Sequence, residues 1–236
     1  MKTIVILVLG CILSAATVHA AAWEEEYARL LKKYVTPAGV KYAAWKANPD
    51  DLAALGRVVD GIAADQPGKG KEALAYYINA YNAWILNEAL EKYPTKSVKD
   101  ALFTFFISDR INVAGEKMSF NRLEKDLILK RFDEPRVHLA LNCASRSCPP
   151  LRNEPYTAAK LDAQFDDQSR DYVNSPLGVA QTRGGVALSK IFDWYKEDFA
   201  KAGGGAAFVS KYRKEPLPAN ARISYQDYDW SLNEAK

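Results

Sequence analysis

Apolar residues recur at intervals of three and four over much of this chain. From Ala22 to Val35 the positions Trp23, Tyr27, Leu30, Leu31 and Tyr34 follow that spacing, which predicts an amphipathic helix broken by Thr36-Pro37-Ala38-Gly39. Asn48-Pro49 offers a cap and a proline at the first helical position, opening a second helix to about Ala64. After the loop Gln66-Pro67-Gly68-Lys69-Gly70, a third helix is predicted from about Lys71 to Tyr93. Leu74, Ile78, Tyr81 and Ile85 form its stripe, while Tyr76, Tyr77 and Trp84 carry apolar surface around the cylinder, as in a central helix. Asn82 lies about 40° from Ile78 on the helical wheel and faces the interior, where its amide needs partners. Asn79 flanks the same face. The two asparagines either fasten a neighbouring loop or touch a ligand.

Further along, the elements shorten. Ile107 to Met118 contains Gly115 and predicts an irregular strand or hairpin, and Phe120 to Phe132 a short amphipathic helix ended by Pro135. Residues 136–143, RVHLALNC, are a short apolar run after a proline and predict a buried strand, followed by a long loop through Pro155. Tyr156 to Asn174 reads as helix with Thr157 as its cap. Val179 to Ser189, with Gly184-Gly185 at its middle, reads as a hairpin. Ile191, Trp194, Tyr195, Asp198 and Phe199 share one side of another helix, stopped by Gly203-Gly204-Gly205. Ala206 to Lys214 is a last short helix, and Ile223 to Tyr228 a final strand. Without repeats or a long linker, the pattern predicts an α+β fold: a single helix-rich domain around a small β-sheet, spanning residues 21–236.

The first twenty residues stand apart. Met1-Lys2 is a positive start, Thr3 to Thr17 is mostly apolar, and Val18-His19-Ala20 precedes Ala21-Ala22. That series predicts a secretory signal peptide over residues 1–20, cleaved near Ala20, and a periplasmic or secreted mature protein. Gly10-Cys11 resembles part of a lipoprotein cleavage site, but the apolar stretch runs well past it, which favours simple cleavage. The 236-residue chain less this segment leaves about 216 residues, enough for one core, with no later apolar run long enough to cross a membrane. Net charge is +3, falling to +2 when Lys2 leaves. Such a balance predicts neither nucleic-acid binding nor acidic partners, and leaves a small molecule or a peptide as the ligand class.

Export also concentrates the chemistry. His19 and Cys11 depart, so His138, Cys143 and Cys148 are the histidine and the two cysteines that remain. A zinc site with two histidines is thereby impossible, CxxxxC lacks the usual ligand spacing, and no metal or cofactor is expected. In an oxidising compartment two nearby cysteines suggest a disulfide. The alternative is a thiol nucleophile. If residues 138–143 are extended, Cys143 lies about 16 Å along from His138 and on the opposite face, whereas the loop can turn Cys148 back. That geometry prefers Cys148 as nucleophile and His138 as base, with Asn142 or Asn82 as the orienting amide. Ser145 and Ser147 flank Arg146 in a donor-rich turn. Arg152, behind Pro149-Pro150, would bind a carboxylate or form an ion pair. Glu124 and Asp198 are further polar groups able to join His138, and both have a solvated surface position as the default reading.

Four strings together, YYINAYNAWIL, RVHLALNCASRSCPPLR, LSKIFDWYKEDF and YDWSLN, resemble the bacterial family called domain of unknown function 547, from about Tyr34 to Asn233. The resemblance implies no established activity. It marks Asn79, Asn82, His138, Cys143, Ser147, Cys148, Pro149 and Arg152 as positions matching the pattern. Trp194, Asp198, Phe199, Tyr228, Asp229 and Trp230 match it as well.

Two functional expectations remain open. The first is a thiol-dependent hydrolase or acyltransferase using Cys148 and His138, with Cys143, Asn79, Asn82, Asn142, Ser147 and Arg152 in attendance. The second is a non-catalytic periplasmic binding module whose recognition loop is shaped by a Cys143–Cys148 disulfide. A thiol oxidoreductase is a third, weakened by the absence of CxxC.

Overall fold

The helix Ala15–Tyr34 (α1) and the helix Pro49–Ala64 (α3) pack face to face. Their stripes, Trp23, Tyr27, Leu30 and Leu31 against Leu55, Val58, Val59 and Ile62, are removed from water. The computed structural model describes residues 15–99, 106–218 and 220–235, with side chains from Trp23 onward. Residues 1–14, with Cys11 and most of the expected signal peptide, lie outside the described residues. The expected cleavage position at Ala20 falls on the opening turns of α1.

The second helix starts where its sequence says it should: the Asn48 side chain accepts from the Asp51 backbone N–H and Pro49 takes the first turn. A short helix, Tyr42–Lys46 (α2), precedes it. Gly61 sits where α3 crosses Trp23, and a Cβ there would meet the Trp23 Cβ at 2.6 Å. Helix Lys71–Lys92 (α4) is buried on almost every side, as its pattern predicts, and forms the centre of the larger core.

The fold is α+β, and its strands are dispersed. Val35–Thr36 (β1) pairs with Gly39–Val40 (β2), and Ile111–Val113 (β3) with Glu116–Met118 (β4). Val179–Thr182 (β5) and Gly185–Leu188 (β6) form the expected hairpin, to which Arg222–Tyr225 (β7) adds in parallel. Among the described residues no helix is long and apolar enough to cross a membrane.

Three local expectations are corrected. Residues 136–143 are not a strand. The Glu134 side chain accepts from the Arg136 N–H, Pro135 follows, and Pro135–Leu139 winds as a 3-10 turn. The run is apolar because Val137, Ala140 and Leu141 plug the larger core while Leu139 enters a second one. A short apolar stretch does not itself distinguish the two cases. The helix expected from Tyr156 begins later, as Leu161–Val173, with the Thr157 N–H donating to Gln164 Oε1 instead of capping. The helix expected over Ile191 to Phe199 is two short ones, Ile191–Trp194 and Lys196–Ala200, with a break at Tyr195. After Ser119 caps a single turn, Leu123–Leu129 is π-helical, which rotates Glu124 inward.

The second core gathers Leu139, Tyr172, Leu188, Phe192, Phe199 and Phe208. The chain passes from one core to the other at residues 139–141, and a cavity opens on that seam.

Candidate functional site

The cavity measures about 470 Å³ and is walled mainly by aromatic rings, Tyr81, Phe106, Trp194, Tyr195, Tyr228 and Trp230. His138, Cys143, Cys148 and Glu124 also line it. Bringing His138 and the cysteines to one cavity requires the chain to fold back on itself after residue 139, and the bends are set by side-chain amides. Asn82 Nδ2 donates to Ala140 O at 2.9 Å, and Asn82 Oδ1 accepts from the Asn142 N–H at 2.9 Å. Asn142 continues the pattern, donating to Pro149 O at 2.8 Å and accepting from the Ala144 N–H at 2.9 Å. Ala144 itself lies at φ 62°, a left-handed conformation that turns the chain sharply past the sulfur. Asn79 fastens a separate loop, donating to Tyr156 O at 2.8 Å and accepting its N–H at 2.9 Å. Both helix asparagines are backbone fasteners.

A distant segment locks the turn from outside. Asn233 N–H donates to Ala144 O, Arg146 N–H to Ser231 O, and Ser147 N–H to Asp229 O, at 2.9, 2.8 and 3.2 Å. This strap is held in turn by Val98, whose N–H donates to Trp230 O at 2.9 Å. It delivers Tyr228 and Trp230 to the cavity wall.

The two sulfurs occupy different surroundings. Cys143 and Cys148 are free thiols, so the bridge expected of the binding-module alternative is not formed in this structure. Cys143 Sγ lies 3.0 Å from Ser145 Oγ and 3.3 Å from Tyr228 Oη, and the Ser145 hydroxyl donates to Tyr228 Oη at 2.9 Å. A protonated sulfur closes this triangle as a ring of three donors. An ionised sulfur draws both hydroxyls toward itself. With the Cys148 S–H foremost, and the Ser145 and Tyr228 hydroxyls and the Ser145 N–H behind it, these donors outweigh burial and pull the Cys143 thiol down to about 6. Cys148 is more deeply set: its sulfur accepts the Cys143 N–H at 2.9 Å and faces Leu141 O at 3.6 Å. Burial, and then the neighbouring Cys143 sulfur, push its thiol up.

His138 is buried and its Nε2 lies 2.9 Å from Asp198 Oδ2. Its ring stacks on Tyr195 with centroids 3.8 Å apart. Burial drives its pKa down to about 4 against the pull of Asp198, so the imidazole is neutral at pH 7. A carboxylate at Nε2 fixes the proton there and makes Nδ1 the acceptor. Among the described residues no hydrogen bond joins this ring to either sulfur. Opposite, the Tyr195 hydroxyl donates to Glu124 Oε1 at 2.7 Å, and burial raises the Glu124 carboxyl above its ordinary range.

The structure thus gathers His138, Cys143 and Cys148 on one cavity, with Asn82 and Asn142 shaping the backbone beneath them. It leaves Asn79, Ser147 and Arg152 off the cavity wall. Ser147 Oγ accepts the Asp229 N–H, which anchors the strap. Arg152 pairs with Glu154 at 2.6 Å, the ion-pair alternative of its sequence reading. Tyr81, Tyr195 and Tyr228 were not picked out by their chemistry. Tyr228 had a signal in the closing YDWSLN string, but nothing local predicts that residues 83 and 85 positions apart meet at Ser145 and Cys143.

No curated protein and no solved structure matches this chain. The strings YYINAYNAWIL and RVHLALNCASRSCPPLR fall inside the part of the chain that matches a known family, while LSKIFDWYKEDF and YDWSLN lie beyond it. Residues 67–173 match the model of the family described as Protein of unknown function, DUF547, which supports the resemblance carried by those strings.

Proposed function

We propose that this protein is an exported enzyme of thiol-dependent acyl transfer or hydrolysis, in which Cys143, rather than Cys148, is the nucleophile. One observation carries the reading: a sulfur surrounded by donors lies on the wall of an apolar cavity that a neutral, carboxylate-paired imidazole shares. Export rests on the charged, apolar and small-residue series of residues 1–20.

The side chains divide the work as follows. The Cys143 thiolate attacks the carbonyl carbon of an ester, thioester or amide, so no base is needed to ionise it near neutral pH. The carboxyl of Glu124, which burial makes a weaker acid than usual, is the group on this wall placed to carry a proton to the departing group. His138 Nδ1 takes the proton of the water or acceptor that cleaves the acyl-enzyme, while Asp198 holds the ring and balances the charge that forms. Cys148 donates to the resting thiolate and supports its ionisation.

The test is the hydrolysis of p-nitrophenyl esters, with intact-mass detection of an acyl adduct. Cys143→Ala is expected to abolish both turnover and adduct, and Cys148→Ala to slow turnover while the adduct still forms. Full turnover by Cys143→Ala would refute the assignment.

A further inference from the structure

Cys148 is poised to do more than donate a hydrogen bond. The chain reverses at Ala144, and the Cys148 N–H donates to Ser145 O at 3.2 Å, closing a turn that brings its side chain back over Cys143. Two polar contacts of the Cys148 sulfur are with the backbone that flanks Cys143: the Cys143 N–H at 2.9 Å and Leu141 O at 3.6 Å. The second thiol is therefore held beside the first by the loop itself, on the same cavity wall and buried from bulk water. Cys143 is the more exposed of the two.

We infer that Cys143 and Cys148 form a peroxide-reducing dithiol, Cys143 attacking a hydroperoxide bound in the aromatic cavity and Cys148 resolving the product. The Cys143 thiolate attacks the terminal oxygen of ROOH, the O–O bond breaks, and the departing alkoxide takes a proton from water to leave as ROH. Cys143 becomes a sulfenic acid. The Cys148 sulfur then attacks the Cys143 sulfur, its thiol proton leaves with the hydroxyl as water, and a Cys143–Cys148 disulfide forms. Each sulfur gives up one electron and the peroxide gains two. Two equivalents of an external thiol restore the pair and leave as their own disulfide. The aromatic walls select an R group that is itself apolar, since a polar one would lose its hydration there. This activity shares the Cys143 thiolate with the acyl-transfer reading but needs neither a carbonyl substrate nor His138.

The experiment adds one equivalent of cumene hydroperoxide to the reduced full chain and follows intact mass, with dimedone as the trap for sulfenic acid. The wild type is expected to lose two hydrogens and to regain them with dithiothreitol. Cys148→Ser should stop at the sulfenic acid and accumulate the dimedone adduct, and Cys143→Ser should lose peroxide consumption entirely. Cys148→Ala serves the same purpose should the serine not fold. Hydrogen peroxide is expected to react more slowly than cumene hydroperoxide. Two thiols that remain alkylatable after peroxide, or undiminished consumption by Cys143→Ser, would overturn the inference, and faster reaction with hydrogen peroxide would overturn the apolar substrate class. Ester turnover measured on the same variants separates this outcome from that of the acyl-transfer reading.

Discussion

Replacing Asn82 by alanine removes one side chain and strands two backbone groups. Asn82, Ala140 and Asn142 are 2%, 4% and 2% exposed, so water cannot take over for the lost amide. An unsatisfied buried donor or acceptor costs about 1–3 kcal/mol, and two of them give roughly 2–6 kcal/mol. That is a large share of the stability of a typical domain. Urea unfolding followed by tryptophan fluorescence measures it, with an unchanged slope showing that the loss is one of stability. Asn82→Asp sharpens the test. Its carboxyl still accepts the Asn142 N–H, but it donates to Ala140 O only when protonated. Burial raises the folded-state pKa of such a carboxyl, so relative to the wild type this variant should gain stability as pH falls from 7 to 5. A loss below about 1 kcal/mol for Asn82→Ala would show that the loop is held by its apolar packing and that the amide clamp is incidental.

Other outcomes follow from the same geometry. Alkylation of Cys143 should rise with pH through a midpoint of about 6. In Tyr228→Phe, losing one donor to the thiolate should move that midpoint up by about one unit, and iodoacetamide kinetics would expose an unmoved midpoint. His138 is held near 4 in the fold against 6.5 when free, so between those values the unfolded chain binds the proton first and acid destabilises the fold. Roughly 3 kcal/mol should be lost from pH 7 to 4 on this account, and His138→Gln should lose correspondingly less; equal losses in denaturant titrations would contradict it. Gly39 has φ 126°, and a Cβ there would meet Asn233 O at 2.2 Å. Gly39→Ala should cost about 2–4 kcal/mol in thermal or urea unfolding and slow Cys143 labelling by loosening the strap.

The helices were legible because a 3.6-residue repeat survives whatever the helix packs against. Helix α4 shows this well, its all-round burial foretold by Tyr76, Tyr77 and Trp84. The run RVHLALNC misled because apolarity reports burial and not conformation: a 3-10 turn wedged between two cores needs the same residues as a central strand. That one misreading set the roles of the cysteines, since an extended chain carries Cys143 away from His138 and a folded one returns both to the same cavity. The His138–Asp198 contact was within reach of the sequence as a polar cluster. The pairing of Tyr195 with Glu124 was not, because it depends on the π-helical turn at Leu123–Leu129 and on a break between two short helices.

The strap has a consequence for biogenesis. A chain made from its N-terminus has its cysteines, imidazole and both asparagine fasteners long before Tyr228 and Trp230 emerge. Until then the Ser145 turn lacks its backbone partners and the sulfur lacks a hydroxyl that acidifies it. The Cys143 thiol is therefore fully acidified only once residues 228–233 have been made, and the nascent polypeptide carries an ordinary thiol until then.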